Sequence, residues 1–302
     1  MAYDPTSPAP FGHMLTAMVT PFTAEGEVDY DGVARLATHL VDAGNDGLIV
    51  NGTTGESPTL RDPEKIASLK VVLEAVGERA TVITGAGNND TRHSIDIARA
   101  AQEAGAHGLL LVTPYYNKPP QAGIAEHFLA IADATDLPIM TYDIPGRTGS
   151  PIEAATFARI AEHPRIVANK DAKADVAAAA SVITDTGLAW YSGDDALTLP
   201  LLSVGAVGVV SVVGHVLSAR IAEMMAAHRA GDVARATELN ATMIPAYVGM
   251  FRTQGVIMAK AALRELGLPS GPVRLPLVDA TPEQVATLRA DLAAAGVAGF
   301  DA

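Results

Sequence analysis

Lys170 closes a short apolar run, Ile166-Val167-Ala168-Asn169-Lys170, and an acid, Asp171, follows it. A lysine at the tip of a core strand is costly to desolvate, so burial there lowers its pKa. The neutral amine is a nucleophile, and one that faces a carbonyl substrate forms a Schiff base. The plainer alternative has Lys170 leaving the core and pointing at water.

Other groups able to do chemistry recur along the chain. Gly52-Thr53-Thr54-Gly55-Glu56 sets two hydroxyls between glycines, where side-chain and backbone donors converge on an anion and glycine lets it come close. An ordinary strand-to-helix turn with a capping threonine has the same composition. Thr113-Pro114-Tyr115-Tyr116-Asn117, with Pro119 and Pro120 beyond, presents two rigid amphipathic rings suited to packing or to an interface. Tyr142-Asp143-Ile144-Pro145-Gly146-Arg147-Thr148-Gly149 begins with a phenol. On the strand neighbouring Lys170 it can shuttle protons to and from a Schiff base. Arg147 offers a fork of donors for a carboxylate, or a surface ion pair. Ser192-Gly193-Asp194-Asp195 carries an acidic pair, with no histidine at a matching strand end to complete a metal site. Capping of a helix is its commoner use. No metal and no cofactor are expected. His107 falls before a strand, and His215 has no obvious partner.

The elements that must position these groups repeat. Short apolar runs predict strands near Leu15–Val19, Gly47–Val50, Thr81–Thr84, Gly108–Val112, Pro138–Tyr142, Ile166–Lys170, Ala189–Ser192 and Val207–Val210. Helical patterns fill the intervals, over Tyr30–Ala43, Asp62–Val76, Thr91–Ala104, Gln121–Ala134, Ile152–Glu162, Ala174–Thr186 and Leu197–Val204. Gly44, Gly77, Gly105, Gly187 and Gly205 stand where those helices should stop. Strands alternating with helices give a parallel sheet, and eight such units close into a barrel that places its chemistry at the C-terminal strand ends. A doubly wound open sheet is the rival, but no Gly-x-Gly-x-x-Gly follows the first strand. After Gly214 the alternation stops, and Leu217–Arg229, Val233–Val248, Thr253–Leu266 and Pro282–Ala295 all read as helix. The expected α/β fold is thus a (β/α)8 TIM barrel with extra C-terminal helices. The divisions expected are a flexible N-terminal tail over residues 1–12, the barrel with its catalytic site over 13–230, and a C-terminal helical region over 231–302.

Composition sets outer limits. The 302 residues are 49% hydrophobic and 18% charged, enough for a large core. There is no cysteine, which excludes disulfides and thiolate metal sites. The net charge of -13 repels phosphate backbones and anionic lipid, so neither nucleic acid nor membrane is an expected partner. The Pro- and Ser-rich start lacks the apolar stretch of a secretory signal, and a cytoplasmic location is the default.

Taken together and in this order, these motifs resemble the dihydrodipicolinate synthase family, from about residue 13 to residue 300. The resemblance implies condensation of pyruvate with aspartate-4-semialdehyde on the route to diaminopimelate and lysine. It implies that Lys170 forms the Schiff base with pyruvate, and that Tyr142, Thr53 and Tyr116 form a proton relay, Tyr116 reaching in from the adjacent subunit. Thr53 and Thr54 would hold the pyruvate carboxylate, and Arg147 would receive the semialdehyde's carboxylate. The backbone at Gly193 and Val210 would lie near the lysine amine. A homotetramer built as a dimer of dimers is implied as well. Related pyruvate-dependent aldolases acting on sugar acids, such as N-acetylneuraminate lyase, share the lysine, the tyrosine and the Gly-Thr-Thr-Gly turn, but typically lack an arginine matching Arg147. A non-catalytic barrel that senses small carboxylates is a further reading, and it needs Lys170 and Tyr142 idle.

The chain departs from the family pattern in places. Asp143 stands where many relatives carry Asn, and Asn169 where an aliphatic residue is common. At the lysine feedback pocket of inhibited relatives, Asn89 and Tyr115 match. His93 replaces a Glu there, while Asp62 and Lys65 stand where some relatives carry His. Loss of an acid that would pair with a lysine ammonium weakens such a pocket, so poor inhibition by L-lysine is expected.

Overall fold

The computed structural model describes residues 7–300. Eight parallel strands close into a barrel in sequence order: β1 (Met14–Ala17), β2 (Gly47–Val50), β3 (Thr81–Gly85), β4 (Gly108–Val112), β5 (Ile139–Asp143), β6 (Ile166–Asp171), β7 (Ala189–Ser192) and β8 (Gly208–Ser211), with β8 pairing back onto β1. Each predicted strand is present; β2, β4 and β7 have the expected bounds, and the ends of the others are displaced by at most two residues. Helices α1 (Tyr30–Asp42), α2 (Asp62–Val76), α3 (Thr91–Glu103) and α4 (Gln121–Ala132) follow the first four strands. A short α5 (Pro145–Thr148) and then α6 (Ala154–Ile160) follow β5, α7 (Val176–Thr186) follows β6, and α8 (Thr198–Leu202) follows β7. Four further helices follow among the described residues: α9 (Gly214–Arg229), α10 (Val233–Gly249), α11 (Gly255–Glu265) and α12 (Pro282–Ala294). This is the expected TIM barrel with additional C-terminal helices.

Side-chain alternation sorts the strands into two cores. Leu15, Ile49, Ile83, Leu110, Met140, Ala168, Tyr191 and Val210 fill the barrel, while the intervening residues join a larger shell with the helices. Phe11, fully buried, plugs the lower end of the barrel, and its N–H donates to Tyr191 Oη at 3.3 Å. The loose tail expected up to Gly12 therefore ends earlier, because an aromatic ring at 11 has an apolar floor to fill; residues 1–6 lie outside the described residues.

Four of the five helix-ending glycines adopt the left-handed conformation: Gly44, Gly105, Gly187 and Gly205. Gly77 does not. At φ −60° it continues the α2 turn, and its N–H donates to Leu73 O at 2.8 Å. The α5 turn was not expected, since four residues starting at a proline carry no helical periodicity. α9 begins three residues before the predicted Leu217, where φ −136° marks a kink between two helical pieces. No helix of the described residues is long and apolar enough to cross a membrane.

Candidate active site

The register of β5 against β6 sets Tyr142 directly opposite Lys170, and β6 against β7 sets Lys170 opposite Tyr191. All three belong to the inward-facing set of their strands, so Lys170 points into the barrel mouth and not into water. It is 5% exposed, and its Nζ lies 4.2 Å from the Tyr142 ring centroid. Burial lowers the amine to about 7; the buried carboxylate of Asp195 opposes that shift and the Arg147 guanidinium adds to it. A large fraction of Lys170 is thus uncharged at neutral pH. Burial acts oppositely on Tyr142 and raises its phenol to about 12, with the Arg147 charge and a hydrogen bond to the Thr53 side chain drawing it partly back. The phenol keeps its proton and is a donor beside a nucleophile.

A cavity of about 290 Å³ opens over the lysine. Thr53, Thr54, Tyr142, Arg147, Lys170 and Gly193 all line it. Thr54 is buried and Thr53 sits at the rim. The turn that carries them is closed by Glu56 N–H to Thr53 O at 3.1 Å and Ser57 N–H to Gly52 O at 3.2 Å. The N–H groups of Thr53 and Thr54 donate to no acceptor among the described residues. Arg147 is on the exposed α5 turn, and its Nη2 donates to Gln254 Oε1 at 2.7 Å, so the guanidinium is steered across the mouth by the residue preceding α11. Gly193 has a steric reason to be glycine. A Cβ there would stand 3.0 Å from both Lys170 Cε and Asp171 O.

Two of the named residues do not line this cavity within the single chain. Val210 is fully buried in the inner barrel core, and Val212, two residues on, forms the cavity wall on that side. Tyr116 lines neither this cavity nor the adjoining one; it is 89% exposed, with φ 72° in the left-handed region. Its neighbour Tyr115 is half-buried and lines the adjoining cavity of about 430 Å³, together with Ser57, Asp62, Lys65, Asn88 and His93. Asn88, not Asn89, faces that space.

The acidic pair after β7 divides. Asp194 caps the following turn through the Ala196 N–H at 3.0 Å. Asp195 is instead buried against the end of β8, where it accepts from Ser211 Oγ, from Val212 N–H at 3.0 Å and from Val213 N–H at 3.3 Å. Sequence reading missed Asp195 as the counter-charge of Lys170, because the adjacency arises only when β6, β7 and β8 close side by side. It also missed Gln254, which lies more than a hundred residues from the arginine it holds. His215 has partners after all: its Nδ1 faces Val212 O at 2.7 Å and its Nε2 accepts from Val19 N–H at 3.1 Å.

Comparison with known proteins agrees with this geometry. The Dihydrodipicolinate synthetase family matches residues 10–295. The chain is 64% identical to the 4-hydroxy-tetrahydrodipicolinate synthase of Acidothermus cellulolyticus over 97% of its own length and 95% of the relative's. It is 62% identical to 4-hydroxy-tetrahydrodipicolinate synthase 2 of Streptomyces coelicolor, over 98% and 99%. Among solved structures, that of the Cyanidioschyzon merolae enzyme with lysine bound superposes with a TM-score of 0.93 at 46% identity, covering 95% of this chain and 98% of the other. A barrel with a half-neutral lysine facing a tyrosine, matched nearly end to end by these relatives, belongs to the dihydrodipicolinate synthetase family.

Proposed function

We propose that this site condenses pyruvate with L-aspartate-4-semialdehyde to give 4-hydroxy-tetrahydrodipicolinate, in diaminopimelate and lysine biosynthesis. The observation that carries the reading is the buried, partly neutral amine of Lys170 against the protonated phenol of Tyr142; the names of the relatives supply the substrates. Lys170 Nζ attacks C2 of pyruvate, and the C2 oxygen leaves as water after taking a proton delivered by Tyr142. The iminium draws electrons from the methyl carbon, which loses a proton and becomes an enamine. That carbon bonds to the aldehyde carbon of the second substrate, and the aldehyde oxygen takes up a proton. The semialdehyde's own amine then adds to C2, the C2–Nζ bond breaks, and Lys170 is free again.

In this reading Thr53 and Thr54 hold the pyruvate carboxylate, and Arg147 receives that of the semialdehyde in a bidentate pair. Tyr116 is kept out in solvent at a backbone angle that costs energy for a tyrosine, which suits a side chain donated to the site of a second copy. The working form is then at least a dimer, and a dimer of dimers is the assembly proposed, acting in the cytoplasm.

Borohydride reduction in the presence of pyruvate, followed by intact mass and peptide mapping, tests the nucleophile. An adduct on Lys170 upholds the reading; an unmodified protein overturns it in favour of a carboxylate-binding barrel. Turnover of pyruvate with aspartate-4-semialdehyde, set against cleavage of N-acetylneuraminate, tests the substrate.

A further inference from the structure

A buried ion pair lies behind the threonine turn, and its Glu56 also forms part of the cavity wall. Glu56 Oε1 and Lys260 Nζ are 2.6 Å apart, with side chains 1% and 0% exposed. Glu56 follows Gly55 directly and is held at φ 58°, a conformation a glutamate adopts only when its surroundings fix it. Lys260 reaches it from α11, also donates to Pro272 O at 2.7 Å, and stands 4.0 Å over the Phe22 ring. The second oxygen of Glu56 accepts the Arg274 N–H at 2.8 Å, and Arg274 Nη1 donates to Thr59 O at 2.9 Å. From the other side Thr20 Oγ1 donates to Gly55 O at 2.7 Å. The turn bearing Thr53 and Thr54 is thereby fastened to the C-terminal helical region, whose Gln254, Pro276 and Leu277 also wall the cavity.

A buried ion pair is a poor device for stability alone, since well-packed apolar residues of like size commonly do as well. It does fix geometry, because each charge tolerates one place for its partner. We propose that Glu56 and Lys260 are positioning residues that hold the Thr53–Thr54 turn in register for the 2-oxo acid carboxylate, so that the C-terminal helical region sets pyruvate recognition. This rests on the reading of that turn as the carboxylate site.

Pyruvate forms its adduct before the aldehyde reacts, so the two kcat/KM values report separate half-reactions. For Lys260→Met, kcat/KM for pyruvate falls about tenfold or more, while kcat/KM for the semialdehyde stays within about twofold. A merely structural role lowers both equally through loss of active protein, and that result overturns the proposal. Because Lys260→Met strands a buried carboxylate and can unfold the chain, Glu56→Gln/Lys260→Met is measured beside it. The double variant regains thermal stability without regaining pyruvate kcat/KM; recovery of both overturns the proposal. Thr54→Val separates the proposal from the reading beneath it. Unchanged pyruvate kcat/KM in Thr54→Val means the turn is not the carboxylate site. A loss there, with none in the Lys260 variants, means that the positioning claim alone is wrong.

Discussion

Asp143 and Asp171 are direct partners across β5 and β6, one residue beyond Tyr142 and Lys170. Side chains alternate along a strand, so the lysine and tyrosine face the cavity and the two acids face the helices. Asp171 accepts from Lys173 N–H at 2.7 Å and from Trp190 Nε1 at 3.0 Å. Asp143 accepts the Ile152 N–H at 3.2 Å and so ties the end of β5 to the chain entering α6. An acid at position 143 therefore adds a buried charge behind the sheet and no member to the proton relay.

That charge has a pH signature. Burial raises Asp143 to about 7, with the Ile152 N–H and Lys173 pulling it down and Asp171 pushing it up. A carboxyl whose folded pKa lies above its unfolded value binds more protons in the folded state, so its contribution to stability falls as pH rises from about 4 to about 7. Asp143→Asn keeps an acceptor for Ile152 and removes the charge. Its denaturant midpoint at pH 8 should exceed that of the parent by on the order of 2 kcal/mol in unfolding free energy, with no gain near pH 4. A gain independent of pH would show that the charge is not the cause.

The amine of Lys170 gives a second pH dependence. Its pKa of about 7 makes the unprotonated fraction grow through neutrality, so the initial rate of borohydride trapping with pyruvate should rise with a midpoint near pH 7. Asp195 holds that value up. Asp195→Asn should move the midpoint to lower pH, and a shift to higher pH would contradict the assignment of Asp195 as the counter-charge.

Gly193→Ala tests how closely the lysine stem is held. The added methyl stands 3.0 Å from Lys170 Cε and from the Asp171 carbonyl, tighter than ordinary contact, so both neighbours must give by a few tenths of an ångström. The stem must move, and a displacement of this size costs about tenfold to a hundredfold in kcat/KM for pyruvate. Circular dichroism should show an unchanged fold. Full activity would mean that Nζ position is not limiting.

The strands were legible because each is a short apolar run between helical stretches, and the site residues because they fall at strand ends, where a barrel gathers its chemistry. What sequence reading lost depends on closure or on distance along the chain. Asp195 read as a helix cap, since nothing local says that it turns toward β8. Phe11 read as tail, because one aromatic among prolines carries no period. Gln254 caps, and Lys260 lies within, a helix whose pattern gives no sign of the loops it reaches. Tyr116 was found by resemblance, and its exposure is not legible from two adjacent tyrosines of identical composition.

Asp62 is already spoken for in the cavity beside the site. His93 Nε2 lies 2.8 Å from its Oδ2, and Lys65 Nζ 3.4 Å from its Oδ1. Burial pushes the Asp62 carboxyl up, but the His93 hydrogen bond and the Lys65 charge outweigh it, and the net pKa is lowered. A free lysine entering this space brings an ammonium toward the buried Lys65 and finds an acid shared between two internal partners. Like-charge approach to Lys65 is unfavourable, and no unpaired carboxylate is offered in return. Millimolar L-lysine should therefore leave the initial rate nearly unchanged. His93→Glu combined with Lys65→His supplies the missing acid and removes the internal ammonium, and it should introduce inhibition. Strong inhibition of the unaltered protein would show that the Asp62 cluster opens to admit the ligand and that its charges do not exclude lysine.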